Sequence, residues 1–137
     1  MIDVVGTDLT NSFAKDVFKK CSSSLAFRFY GSNGKVIATT SNLPELISAL
    51  PDIPATITQF HIFRETTQDI FEPKQLDGPV VRSDLALWIN YVLGDVELSR
   101  RIYEIGKKEK EAEKLKAQVI NILKEREQEL IALIRSY

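Results

Sequence analysis

Histidine occurs once in this sequence, as His61 between Phe60 and Ile62. It is the side chain best suited to move a proton near neutral pH. A catalytic imidazole needs a nucleophile or carboxylate held within hydrogen-bond reach, and the residues around His61 offer no such neighbour. The expectation is a structural histidine with satisfied hydrogen bonds. Cys21 is the sole cysteine, which excludes an intrachain disulfide and leaves a thiolate zinc site without ligands. It reads as a small apolar filler near a helix end. Gly31-Ser32-Asn33-Gly34 lacks the Lys-Ser/Thr and following helix of a phosphate loop, and it reads as a turn between two strands. The pairs Asp3/Asp8 and Asp69/Glu72 show no acid–base patterning and read as solvated loops. No catalytic, cofactor-binding or metal-ligating residue is predicted, and no cofactor or small-molecule substrate, so the chain reads as a non-enzyme.

The remaining chemistry is electrostatic. Eighteen basic residues nearly cancel nineteen acidic ones, for a net charge of −1, which argues against a chain whose whole surface clamps nucleic acid or an anionic membrane. Locally the balance differs. Between Arg100 and Lys116 seven basic residues face four acidic ones. Arg100, Arg101, Lys107, Lys108, Lys110 and Lys114 are the candidate phosphate contacts for RNA or a ribosome, against the alternative of a solvated helix face. The helix–Gly94-Asp95–helix element also has the outline of a DNA-reading helix-turn-helix, but its second helix must spend Leu98, Ile102 and Ile105 on packing.

These residues need elements to hold them. The 137 residues suit one domain with an appendage. Leu9, Phe13, Val17 and Phe18 have helical spacing, and Ser22-Ser23-Ser24 ends that helix. Leu25, Phe27 and Phe29 alternate along a strand, and Lys35–Thr40 returns as its hairpin partner. Ser41 or Asn42 caps a helix reaching Leu50, with Pro44 and Glu45 in its first turn. Ala55–Arg64 is expected to be an interior strand carrying His61, and Glu65–Val81 an irregular loop. Helices resume at Ser83, with Leu85, Trp88, Ile89 and Val92 on one face and a stop and cap at Gly94-Asp95; Gly106 is expected to kink or end the second of them.

Lys107–Tyr137 contains no proline or glycine. As one helix it would be a rod of roughly 45 Å, longer than a body of about 30–35 Å. Its apolar residues Leu115, Val119, Ile122, Leu123, Leu130, Leu133 and Ile134 form a stripe, interrupted by the polar run Lys124–Glu129. An overhanging amphipathic helix needs cover. The expectation is that these residues pair two copies of the chain, with folding across the chain's own sheet or a different partner as alternatives.

Part of the sequence resembles an uncharacterised prokaryotic, mainly archaeal, domain family. The likeness lies in Leu43-Pro44-Glu45-Leu46, Ile53-Pro54, His61, Asp84-Leu85-Ala86-Leu87-Trp88-Ile89 and Val92-Leu93-Gly94-Asp95-Val96-Glu97-Leu98, across about residues 25–102. Leu85 stands where the family has an aromatic residue, and 65–81 exceeds its short link. The resemblance implies a compact α+β module without a known reaction, in which His61 and Trp88 pack together as structural residues.

The expected fold is therefore α+β, a small antiparallel sheet of about three strands packed by helices, with a body over 1–106 and a long amphipathic helix over 107–137. The expected function is a non-catalytic interaction module that homodimerises through that helix. The alternative is an RNA- or ribosome-associated factor, possibly bridging two particles as a dimer. No basic leader or apolar span is present, so the chain is expected to be cytoplasmic and not membrane-bound.

Overall fold

A computed structural model describes residues 13–68 and 75–135. Residues 13–18 are helical (α1), with Ala14 and Val17 buried; Leu9 and the predicted helix start lie outside the described residues. The strand predicted from Leu25 begins two residues later. Ser23–Leu25 forms a short 3₁₀ turn, and β1 (Phe27–Tyr30) pairs antiparallel with β2 (Val36–Thr40). Phe27 lies opposite Thr40 and Phe29 opposite Ala38, with a register shift before Tyr30. Gly34 closes the connection at φ 80°, and the Gly31 amide donates to the Lys35 carbonyl at 2.8 Å. Alternation along β1 buries Phe27 and Phe29 against the core.

Asn42 caps α2 (Leu43–Ala49): its side chain accepts the Glu45 amide at 2.9 Å, and Glu45 in turn accepts the Ser41 amide at 2.8 Å. This reciprocal arrangement satisfies donors that a helix start leaves orphaned. A 3₁₀ turn (Leu50–Asp52) follows.

Ala55–Ile62 is a helix, α3, not a strand. Its β-branched residues cost only a few tenths of a kcal/mol each in helical form, and the helix puts Ala55, Thr58, His61 and Ile62 on one buried face. No strand could do that, because alternation would turn His61 and Ile62 to opposite sides. The supposed loop from Glu65 is a second hairpin, in which β3 (Arg64–Gln68) pairs antiparallel with β4 (Gln75–Arg82), Arg64 opposite Arg82. Gly78 and Pro79 hid β4 from pattern reading; a two-stranded ribbon has free edges on which proline is tolerated. The described residues thus hold two two-stranded sheets and not one three-stranded sheet.

Ser83 caps α4 (Asp84–Trp88), which runs into a π-type turn (Ile89–Leu93) ended by Gly94 at φ 77°. Asp95 caps α5 (Val96–Lys108), and α6 (Ala112–Arg135) follows. Gly106 neither kinks nor stops α5. It is buried where α5 crosses the end of α3, and a Cβ there would lie 2.9 Å from the Ile62 carbonyl oxygen.

Because the helix is interrupted between Lys108 and Ala112, α6 runs for 24 residues and is not continuous from Lys107. At about 36 Å it lies across α2, α3 and α5 instead of overhanging them. Leu115, Val119, Leu123 and Leu130 are wholly buried in a core shared with Leu43, Leu46, Leu50, Ile62, Leu98 and Ile102. Lys116 reaches back to donate to the Pro51 and Ile53 carbonyls at 3.0 and 2.7 Å.

Candidate recognition cleft

The end of α3, the outer edge of β1 and the start of α4 converge on His61. Four aromatic rings surround the imidazole: Phe27 and Phe29 at 5.4 Å, Phe60 at 5.3 Å and Tyr30 at 6.4 Å between centroids. Nε2 accepts the backbone N–H of Tyr30 at 3.3 Å, which places the proton of a neutral ring on Nδ1. That atom is buried and stands 3.6 Å from Asp84 Oδ2, just beyond hydrogen-bond distance. The Ser83 hydroxyl donates to the His61 carbonyl at 3.5 Å, joining the end of α3 to the cap of α4.

Asp84 is the electrostatic centre of this junction. Arg82 Nε and Arg64 Nη2 donate to its Oδ1 at 2.8 and 3.2 Å. Burial pushes its carboxyl up, but His61, Arg82 and Arg64 outweigh that and hold it below the usual carboxylate range. The Arg64 guanidinium also lies over the Phe60 ring, 4.7 Å from its centroid. Arg28 folds back along β1, donating to the Ala26 and Ser23 carbonyls at 3.2 and 2.7 Å. Arg28, Tyr30, Phe60, His61, Arg64 and Asp84 line a cleft of about 380 Å³, floored by Phe27. At its rim Phe60 is 50% and Tyr30 46% exposed. A second hollow, over Thr39, Pro44, Glu45, Ser48 and Ala49, offers a carboxylate already held by Lys20 and the Ser41 amide.

His61 and Trp88 meet through a third ring and not face to face. Phe27 lies 5.7 Å from Trp88 as well as against His61, and the Trp88 indole donates to the Leu25 carbonyl at 2.7 Å. Cys21 is a half-buried free thiol packed on the core.

The seven candidates for helix pairing take different positions. Leu115, Val119, Leu123 and Leu130 are core residues of the chain itself, while Ile122, Leu133 and Ile134 are partly buried at its margin. The polar interruption has a structural cause. Arg126 donates to Asp95 at 2.8 and 3.0 Å and to Glu129 at 2.8 Å, and Glu129 also receives both Arg101 Nη atoms at 3.0 Å.

Most of the candidate phosphate contacts are engaged within the chain. Arg100 and Arg101 share Glu97, whose carboxyl their hydrogen bonds pull down to about 2. Lys107 pairs with Glu104 and covers Tyr103, Lys114 pairs with Glu111, and Lys110 sits 3.6 Å above the Phe63 ring. Lys108 is exposed at the end of α5.

Sequence reasoning missed Arg28, Tyr30, Phe60, Arg64 and Asp84 as a group. Asp84 lies 23 positions beyond His61 and meets it only because the β3–β4 hairpin returns the chain to the end of α3. A usable signal was Ser83-Asp84, a capping pair. Among the described residues no three His, Cys, Asp or Glu side chains gather to hold a metal, and no helix is long and apolar enough to cross a membrane.

The fold and cleft define a small α+β domain of two hairpins and a helical layer, with an aromatic hub built by β1, α3 and α4. Residues 25–136 match the family described as Family of unknown function (DUF5752), and the chain belongs to that family. The match includes α6 as well as the portion carrying His61 and Trp88. No curated protein and no solved structure matches it.

Proposed function

We propose that this chain is a non-catalytic recognition module whose contact face is the cleft between β1 and α3. The observation that carries this reading is the cleft rim. Two large rings stand half-exposed beside guanidiniums there, the residue types that dominate binding energy at protein interfaces. The imidazole below them is poorly placed for catalysis. Nε2 is occupied by the Tyr30 amide, and Nδ1 is buried facing Asp84, so neither nitrogen reaches a substrate as a general base must. His61 acts as a strut that fixes β1 to α3.

The test is site-specific photocrosslinking in the native host. A photoreactive phenylalanine analogue at position 60 should trap a discrete protein, and the same analogue at the exposed Glu125 should not. Identical trapping from both positions, or none from position 60, would overturn the reading.

Self-association remains a proposal with less to draw on, because the residues that motivated it are used in the chain's own core. It would have to use Ile122, Leu133 and Ile134 at the margin of α6. Light scattering of the full chain at high micromolar concentration decides it. The RNA or ribosome reading draws on cations already paired to Glu97, Glu104, Glu111 and Glu129; salt-insensitive or absent RNA binding would remove it.

A further inference from the structure

We propose that the occupant of this cleft is an acidic peptide segment of a partner protein, seating carboxylates on Arg28 and Arg64 and an apolar side chain between Phe60 and Tyr30. The proposal rests on the recognition-module reading above and assigns the partner's chemistry. Its basis is a contrast between two clusters of charge. Where α6 meets α5, the Arg100, Arg101 and Arg126 guanidiniums are matched by the carboxylates of Glu97, Glu129 and Asp95. At the cleft, Asp84 is the one carboxylate among the described residues that pairs with Arg64 and Arg82, and Arg28 pairs with none of the described carboxylates. A guanidinium carries five N–H donors. Among the described residues, Arg28 has acceptors for two of them and Arg64 for one. The stacking of Arg64 on Phe60 and the backbone bonds of Arg28 hold both in place without using their remaining donors. Ligand carboxylates therefore meet preorganised forks, the arrangement that suits bidentate recognition.

The apolar half of the site selects a peptide. An occupant must cover Phe60 and Tyr30 at the rim as well as the cleft between them, which an extended segment bearing an apolar residue between acidic ones does. A nucleic acid backbone would find two available guanidiniums on a chain of net charge −1, too few to bind well at physiological salt.

The test uses the full chain, labelled with ¹⁵N, and three capped peptides with the same central leucine pair flanked by glutamate, glutamine or lysine. The glutamate peptide should shift amides in residues 26–30 and 60–64. Its affinity should fall about tenfold in Arg28→Gln, comparably in the surface variant Phe60→Ala, and further on raising salt. Equal binding of the glutamate and glutamine peptides at the cleft would overturn the acidic assignment while leaving the contact face standing. Tighter binding of the lysine peptide, or shifts confined to another face, would overturn the assignment as well. Failure of all three peptides would also overturn it, and trapping at position 60 then decides separately whether the face itself is wrong.

Discussion

Asp95→Ala tests how α6 is held to the body. Asp95 is wholly buried, its side chain accepts the Leu98 amide at 3.0 Å as the cap of α5, and its carboxylate takes two bonds from Arg126. Loss of a cap costs about 1 kcal/mol. Removing one partner of a buried ion pair costs about 3–5 kcal/mol because it strands the other charge. Here the stranded charge keeps Glu129 at 2.8 Å, so the lower end applies, and the expected total is about 3–4 kcal/mol. In a chain of this size that is a fall of roughly 10 °C in Tm. Asp95→Asn separates the two effects, since asparagine caps as well as aspartate, and it should lose about 2 kcal/mol through the charge alone. Arg126→Met should lose at least as much as Asp95→Ala, because it leaves Asp95 buried with only the Leu98 amide to satisfy it. The assay is urea denaturation of the full chain followed by circular dichroism, with the slope against denaturant checked for constancy. If Asp95→Ala loses less than about 1 kcal/mol, the pair behaves as a surface ion pair, and the docking of α6 by this contact is refuted.

Three further outcomes follow from the packing and charge. Gly106→Ala should destabilise by about 1–2 kcal/mol despite the better helix propensity of alanine, since the new Cβ meets the Ile62 carbonyl at 2.9 Å; an unchanged or raised urea midpoint would contradict the close α5–α3 approach. Trp88→Ala should lose about 3–5 kcal/mol from the cavity beside Phe27, and wild-type-like melting would show that the indole is not a core member. For acid, the Arg101 bonds hold the Glu129 carboxyl below its ordinary value, and those of Arg100 and Arg101 bring Glu97 to about 2, both from 4.5. Each is depressed on folding, so its contribution is present above pH 4.5 and lost as pH falls below it, for Glu97 through about 2. The double variant Glu97→Gln/Glu129→Gln should flatten that part of the stability–pH curve, and an unchanged slope would refute the linkage.

What local chemistry controls was legible in the residues alone. Alternating aromatics and a glycine-bounded turn specified the β1–β2 hairpin, Asn42 with Glu45 specified the start of α2, and Gly94-Asp95 specified a helix stop and the next cap. In each case the decisive interactions span fewer than about five residues. The apolar stripe of α6 was also readable, but not what covers it, since one periodicity serves a partner copy or the chain's own core equally. The tertiary structure covers Leu115, Val119, Leu123 and Leu130 with α2, α3 and α5, and it gives Arg126 a buried partner 31 residues away. It likewise decided that Ala55–Ile62 is a helix, because burying Thr58, His61 and Ile62 on one side outweighs the β preference of threonine and isoleucine. The cleft was beyond reach for the same reason. His61, Asp84, Arg28 and Arg64 come from α3, α4, β1 and β3, and only the packing of those elements makes their spacing a physical distance.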